Sequence, residues 1–184
     1  MPEQPDPGRP PRAEDLFRHL DDLRTDSFEG AGPRPARIEL FHRTVELLDP
    51  VVRRVLGETD ATFLGGASEL RLQGPRQEAG GDWTARWELS WPEQRSATPL
   101  RGDRVHPVQV AAWFAATFTH PHLAGTWAGR SPLVAHWPLQ VTSEADAARQ
   151  EPIVRAIVEA ELHQAVFEGG WRVLPGYPRR SAAQ

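Results

Sequence analysis

Between Asp82 and Trp91 the chain sets Trp83, Ala85, Trp87, Leu89 and Trp91 in strict alternation with Asp82, Thr84, Arg86, Glu88 and Ser90. Successive side chains of a strand project to opposite faces, so this segment specifies a strand with one buried face and one wet face. A strand of that kind needs a partner beside it and a layer over its tryptophans. The run 61–73 supplies the partner, with Leu64, Leu70 and Leu72 on one side and Glu69, Arg71 and Gln73 on the other. A hairpin through 75–81 joins the two. Pairing Leu72 with Trp83 keeps the apolar sets together and places Glu69 opposite Arg86. A slip by two that opposes Arg71 to Arg86 is disfavoured by charge, whereas a slip by two the other way, or by four, is compatible.

The covering layer is helical. Ile38, Phe41, Val45, Leu48, Val52 and Val55 step by threes and fours along one stripe, predicting a helix over about 36–56 that is kinked or restarted at Pro50 and stopped at Gly57. After His106-Pro107 the residues to Phe118 are apolar almost all round, which predicts a central helix over about 107–119. The stripe Ile153, Val154, Ile157, Val158, Leu162, Ala165 and Val166 marks a last helix over about 152–168, with Thr142 and Ser143 offering an N-cap ahead of it. The odd positions of 133–141 are all apolar, a third strand that Pro138 confines to an edge or a bulge. Trp171–Leu174 reads as a short closing strand. The expected fold is α+β: a small, mostly antiparallel sheet with helices on one face.

Proline-rich residues 1–12 and the segment 175–184 read as tails around a single domain over 13–174. Within it, Leu16, Phe17, Leu20 and Leu23 recur at helical spacing, predicting a short amphipathic helix over 13–24, rich in acid on its other side, that packs on one side only. The stretch 25–35, with Gly30, Gly32, Pro33 and Pro35, reads as a linker, so this helix has the form of a docking arm for a partner or for a second copy in a homodimer.

Composition removes whole reaction classes. The chain has no cysteine and no lysine, which excludes thiolate catalysis, cysteine-bound zinc, iron–sulfur clusters, Schiff bases and a Walker-A lysine. Asparagine is absent as well, and with abundant Ala, Arg, Gly and Pro this points to a GC-rich bacterial genome. A net charge of −4 with spread arginines speaks against an electrostatic nucleic-acid binder. No apolar run approaches a membrane span and no signal peptide is apparent, so a cytoplasmic location is expected.

The candidate chemistry is that of a small-molecule site without a cofactor. Trp83, Trp87, Trp91, Trp113 and Trp137, loosely filled by alanines, are expected to line a pocket for an apolar or aromatic molecule, with Arg86 as a further binding group. His136, His120, Glu69 and Glu88 are the expected acid–base residues. His120 and His122 form a His-x-His pair, which converges on a metal only if the backbone there is extended. Placed at the end of a helix over 107–119 they are better explained by the helix dipole, so metal-independent chemistry is expected.

Overall fold

The computed structural model describes residues 13–100, 102, 104–126 and 135–176. The tail over 1–12, most of that over 175–184, and the start of the strand expected at 133–141 lie outside the described residues. Among those described, α1 (Ala13–Thr25) and α2 (Arg34–Thr59) precede a hairpin of β1 (Glu69–Gln77) and β2 (Trp83–Ser90). Then follow α3 (Pro92–Ser96), β3 (Val108–Phe114), β4 (His122–Ala124), β5 (Trp137–Pro138), α4 (Glu144–Arg149) and α5 (Glu151–Gly169). The strands form an antiparallel sheet in the order β1-β2-β3-β4-β5, packed against helices, which is the expected α+β class.

The alternation of β2 sorts its side chains as expected. Ala85, Trp87 and Leu89 enter a core shared with Phe41, Leu48 and Val52 of α2 and with Val154, Ile157 and Val158 of α5. A buried indole needs an acceptor for its N–H, and Trp87 Nε1 donates to Asp49 Oδ1 at 2.7 Å. Asp49 is therefore a partner of the sheet, and no new helix begins there. α2 runs on through Pro50 and Gly57, and its last turn widens into a π-helical turn, Asp60–Leu64, that ends at Gly65 with φ 76°.

The segment expected as a helix over 107–119 is instead the strand β3, followed by a turn. All seven of its residues are buried, and it pairs with β2 on one side and β4 on the other. A strand covered on both faces has no polar side, so its sequence, Gln109 apart, reads as an apolar run that periodicity does not separate from a buried helix. Val108, Val110, Trp113 and Phe114 are the β-favouring members of that run.

The hairpin register is the slip by four. Leu72 faces Trp87, Arg71 faces Glu88, and Glu69 faces Ser90, so the expected pairs Leu72–Trp83 and Glu69–Arg86 are not formed. The reason lies in the turn. β1 continues past Pro75 to Gln77 by way of a bulge between Gln73 and Arg76, and Glu78 N–H donates to the carbonyl of Asp82 at 2.8 Å. Proline is tolerated there because β1 is an edge strand. At the opposite edge β5 contains Pro138, in the edge position expected of it. Trp171–Val173 forms a 3-10 turn and not a strand.

Candidate functional site

α1 docks with its polar side inward. Asp15, His19 and Asp22 are buried, whereas Leu16, Phe17, Leu20 and Leu23 are 49–58% exposed, the reverse of the orientation expected from the apolar stripe. Residues i, i+4 and i+7 share one helix face, and here Asp15 and Asp22 find polar partners while His19 meets the rings of His120 and His122. Asp22 accepts from Gln140 Nε2 at 3.1 Å, from Ser27 Oγ at 2.9 Å and from the Glu29 N–H at 3.0 Å. Arg149 pairs with Asp15 at 3.5 Å, and Arg18 bridges Glu29 and Asp146. The stretch read as a linker helps to hold this arrangement: Phe28 is fully buried against Phe114, and Phe28 and Ala31 exchange backbone hydrogen bonds.

The docked face brings His19 to the start of β4. A residue before proline is driven toward extended backbone, and in an extended chain alternate side chains share a side. His120 and His122, flanking Pro121, have ring centroids 5.0 Å apart. The His19 ring lies edge-on to His120 at 3.9 Å and 5.9 Å from His122. One potential ligand nitrogen from each of the three falls within 4.8 Å of the others. Nδ1 of His19 and Nδ1 of His122 are buried without a hydrogen-bond partner, while His120 Nδ1 is 2.6 Å from Thr119 Oγ1.

The setting keeps these rings neutral. Burial, reinforced by neighbouring His19, lowers His120 to about 4. Burial together with His120, His19 and His136 lowers His122 to about 3. Burial also lowers His19, although Asp22 opposes it, and lowers His136. At neutral pH the cluster presents imidazole lone pairs and N–H groups, not cations.

Beside the cluster a pocket of about 340 Å³ opens between α1 and the β3–β4 turn, lined by the three histidines with Leu23, Phe118 and the threonines 117 and 119. Trp113 backs it, with its ring 5.2 Å from Phe118 and 5.1 Å from His136. Trp113 and His136, which the sequence placed on a helix and a strand, thus meet beside His122 of β4. The pocket takes His120 from the expected acid–base residues and His122 from the His-x-His pair, has Trp113 and His136 behind it, and adds His19, Leu23 and Phe118.

The other expected residues lie elsewhere. Trp87 and Trp91 are fully buried in the core, with Trp83 packed against it and 4.9 Å from the His42 ring. Trp137 lines a separate hollow of about 220 Å³ with Gly125, Ile157 and Glu161. Glu69 pairs with Arg71 on the edge strand β1, three strand spacings or about 14 Å from β4, so it does not join the histidines. Arg86 and Glu88 line a polar hollow of about 200 Å³ with Arg76, Arg104 and His106. There Arg86 donates to Glu78 and Glu88 accepts from Gln73.

His19 and Asp22 were hidden by the stronger signal of the leucines on the same helix. The polar stripe Asp15, His19, Asp22 has the same helical period and was the sign that this face also has a partner. Glu161 on α5 accepts from the Thr126 N–H at 3.0 Å, and its carboxyl is raised by burial. No family model matches the chain and no curated protein or solved structure matches it, which leaves the geometry of this site as the ground for its function.

Proposed function

We propose that this chain binds a small molecule in the pocket between α1 and the β3–β4 turn. The observation that carries the reading is the meeting of buried, unsatisfied imidazole nitrogens with the apolar walls of Leu23 and Phe118 around one opening. Unpartnered buried polar atoms cost free energy, and a ligand that satisfies them regains it. The ligand chemistry that fits is an apolar or aromatic body carrying one or two hydroxyl or N–H groups. Because His120 and His122 stay unprotonated at neutral pH, they serve as hydrogen-bond acceptors and weak bases.

The test is a titration with simple phenols and aromatic amides, read from the amide NMR shifts of residues 117–123. Saturable shifts that vanish in Thr117→Trp, which fills the pocket from an exposed position, support the reading. Absence of saturable shifts with every compound, or unchanged binding by the filled variant, refutes it.

The exposed stripe Leu16, Leu20 and Leu23 supports a second reading, association with a second copy through α1. Glu14 and Arg24 stand near opposite ends of the helix, so an antiparallel pair sets acid beside base and aligns the helix dipoles favourably. Light scattering tests it: a dimer mass that falls to a monomer mass in Leu20→Glu is expected, and a monomer mass for the unaltered chain rejects it.

A further inference from the structure

We propose that His19, His120 and His122 form a binding site for one divalent transition-metal ion of the Zn²⁺ class, with its open coordination position facing the pocket. Three observations converge on it. The ligand nitrogens come from two separate elements, α1 and the start of β4, yet lie within 4.8 Å of one another. Zinc holds imidazole nitrogens at about 2.0–2.1 Å, so tetrahedral ligands stand about 3.4 Å apart and side-chain rotation closes the remaining gap. Second, Nδ1 of His19 and Nδ1 of His122 are buried with no partner, and a cation is a group that satisfies such lone pairs without needing a donor. Third, the contact between His120 Nδ1 and Thr119 Oγ1 at 2.6 Å has the form of the outer hydrogen bond that orients a metal-bound imidazole. In the tautomer that donates from Nδ1, Nε2 is left with its lone pair free to ligate.

The chemistry of the donors selects the ion. Three neutral imidazoles without carboxylate suit zinc, copper, nickel or iron, and exclude calcium and magnesium, which take oxygen ligands. Asp22, bonded to Gln140 and Ser27 behind His19, is a negative charge close to the cluster but is not one of the three. His136, with its ring 6.1 Å from that of His122, also lies outside the trio. Three protein ligands leave a position for water or a ligand group, the arrangement of zinc sites that act on a substrate. The action of the ion on a ligand rests on the pocket reading, whereas its binding does not.

The experiment uses the full chain without a histidine tag, stripped with chelator and desalted, and titrated with Zn²⁺ by calorimetry and with Co²⁺ by visible absorption. The expected result is one equivalent of Zn²⁺ and an intense Co²⁺ spectrum of four-coordinate type. His19→Ala, His120→Ala and His122→Ala should each weaken Zn²⁺ binding by about a hundredfold or more. Thr119→Ala should weaken it by about tenfold, as the loss of an orienting hydrogen bond does. His163→Ala on α5 should leave it unchanged. Circular dichroism of each variant separates loss of a ligand from loss of the fold, and His19→Gln removes the ligand with little change in helix propensity. Absence of stoichiometric binding by the unaltered chain overturns the proposal, as does binding that folded His19 variants retain. Ligand shifts at 117–123 in a chain that takes up no stoichiometric Zn²⁺ would leave the pocket reading standing while the metal site falls, and stoichiometric Zn²⁺ binding without such shifts would do the reverse.

Discussion

Asp146 shows how much a single carboxylate does in holding α1. Burial acts to raise its pKa, but the Thr142 N–H and hydroxyl, at 3.0 and 2.8 Å, and the Arg18 guanidinium outweigh burial and hold it at about 2. A carboxyl depressed below its ordinary value near 3.8 stabilises the fold above that value, and the contribution is lost as pH falls toward 2. The shift corresponds to about 2 kcal/mol. Asp146→Asn is therefore expected to lose about that much in urea unfolding at pH 7 and to show a shallower decline between about pH 4 and pH 2. Equal stability of the two proteins at pH 7 would contradict this. At the same scale, Leu48 is fully buried in the core, and Leu48→Ala should cost about 2–5 kcal/mol in the same measurement. A cost below about 1 kcal/mol would mean that α2 does not pack as described.

At the scale of the element, α1 is the informative case, because two faces of one helix make opposite claims on the interior. Its leucines follow the helical period well, and sequence logic buries the apolar face by default. What reverses the outcome is distant in sequence: Gln140, Arg149 and Asp146 stand where only a polar face is satisfied. At concentrations where the chain is a monomer, Leu20→Gln on the outer face is expected to change stability by less than about 0.5 kcal/mol, whereas Asp22→Ala, which strands Gln140 and Ser27, should cost about 1–3 kcal/mol. Denaturant unfolding of both variants checks the order, and the reverse order would place the leucines inside. If the histidines bind Zn²⁺, the ion ties α1 to β4, and hydrogen exchange of the α1 amides should slow on adding Zn²⁺ to the unaltered chain but not to His19→Gln.

At the scale of the molecule, the hairpin, α2, α5 and the edge position of Pro138 were legible because each has a period or a proline that only one environment satisfies. β3 was not, because a strand buried on both faces erases the alternation that would mark it, and its alanines imitate a helix. That one misreading also concealed the site. With 107–119 taken as a helix, His120-Pro121-His122 became a helix end, whereas in the sheet it is the extended entry to β4, where two imidazoles share a side. The third imidazole needed the orientation of α1, which depends on contacts more than a hundred residues away in the chain. Everything at the site follows from α1 turning His19, and not its leucines, toward the sheet. Nuclear Overhauser spectroscopy of the unaltered chain reads this orientation. A cross-peak is expected between the ring protons of His19 and His120, whose centroids lie 3.9 Å apart, and it should be lost in His19→Gln. Cross-peaks from the Leu16 and Leu20 methyls to core residues such as Phe114 and Leu123, with none between the two rings, would contradict it.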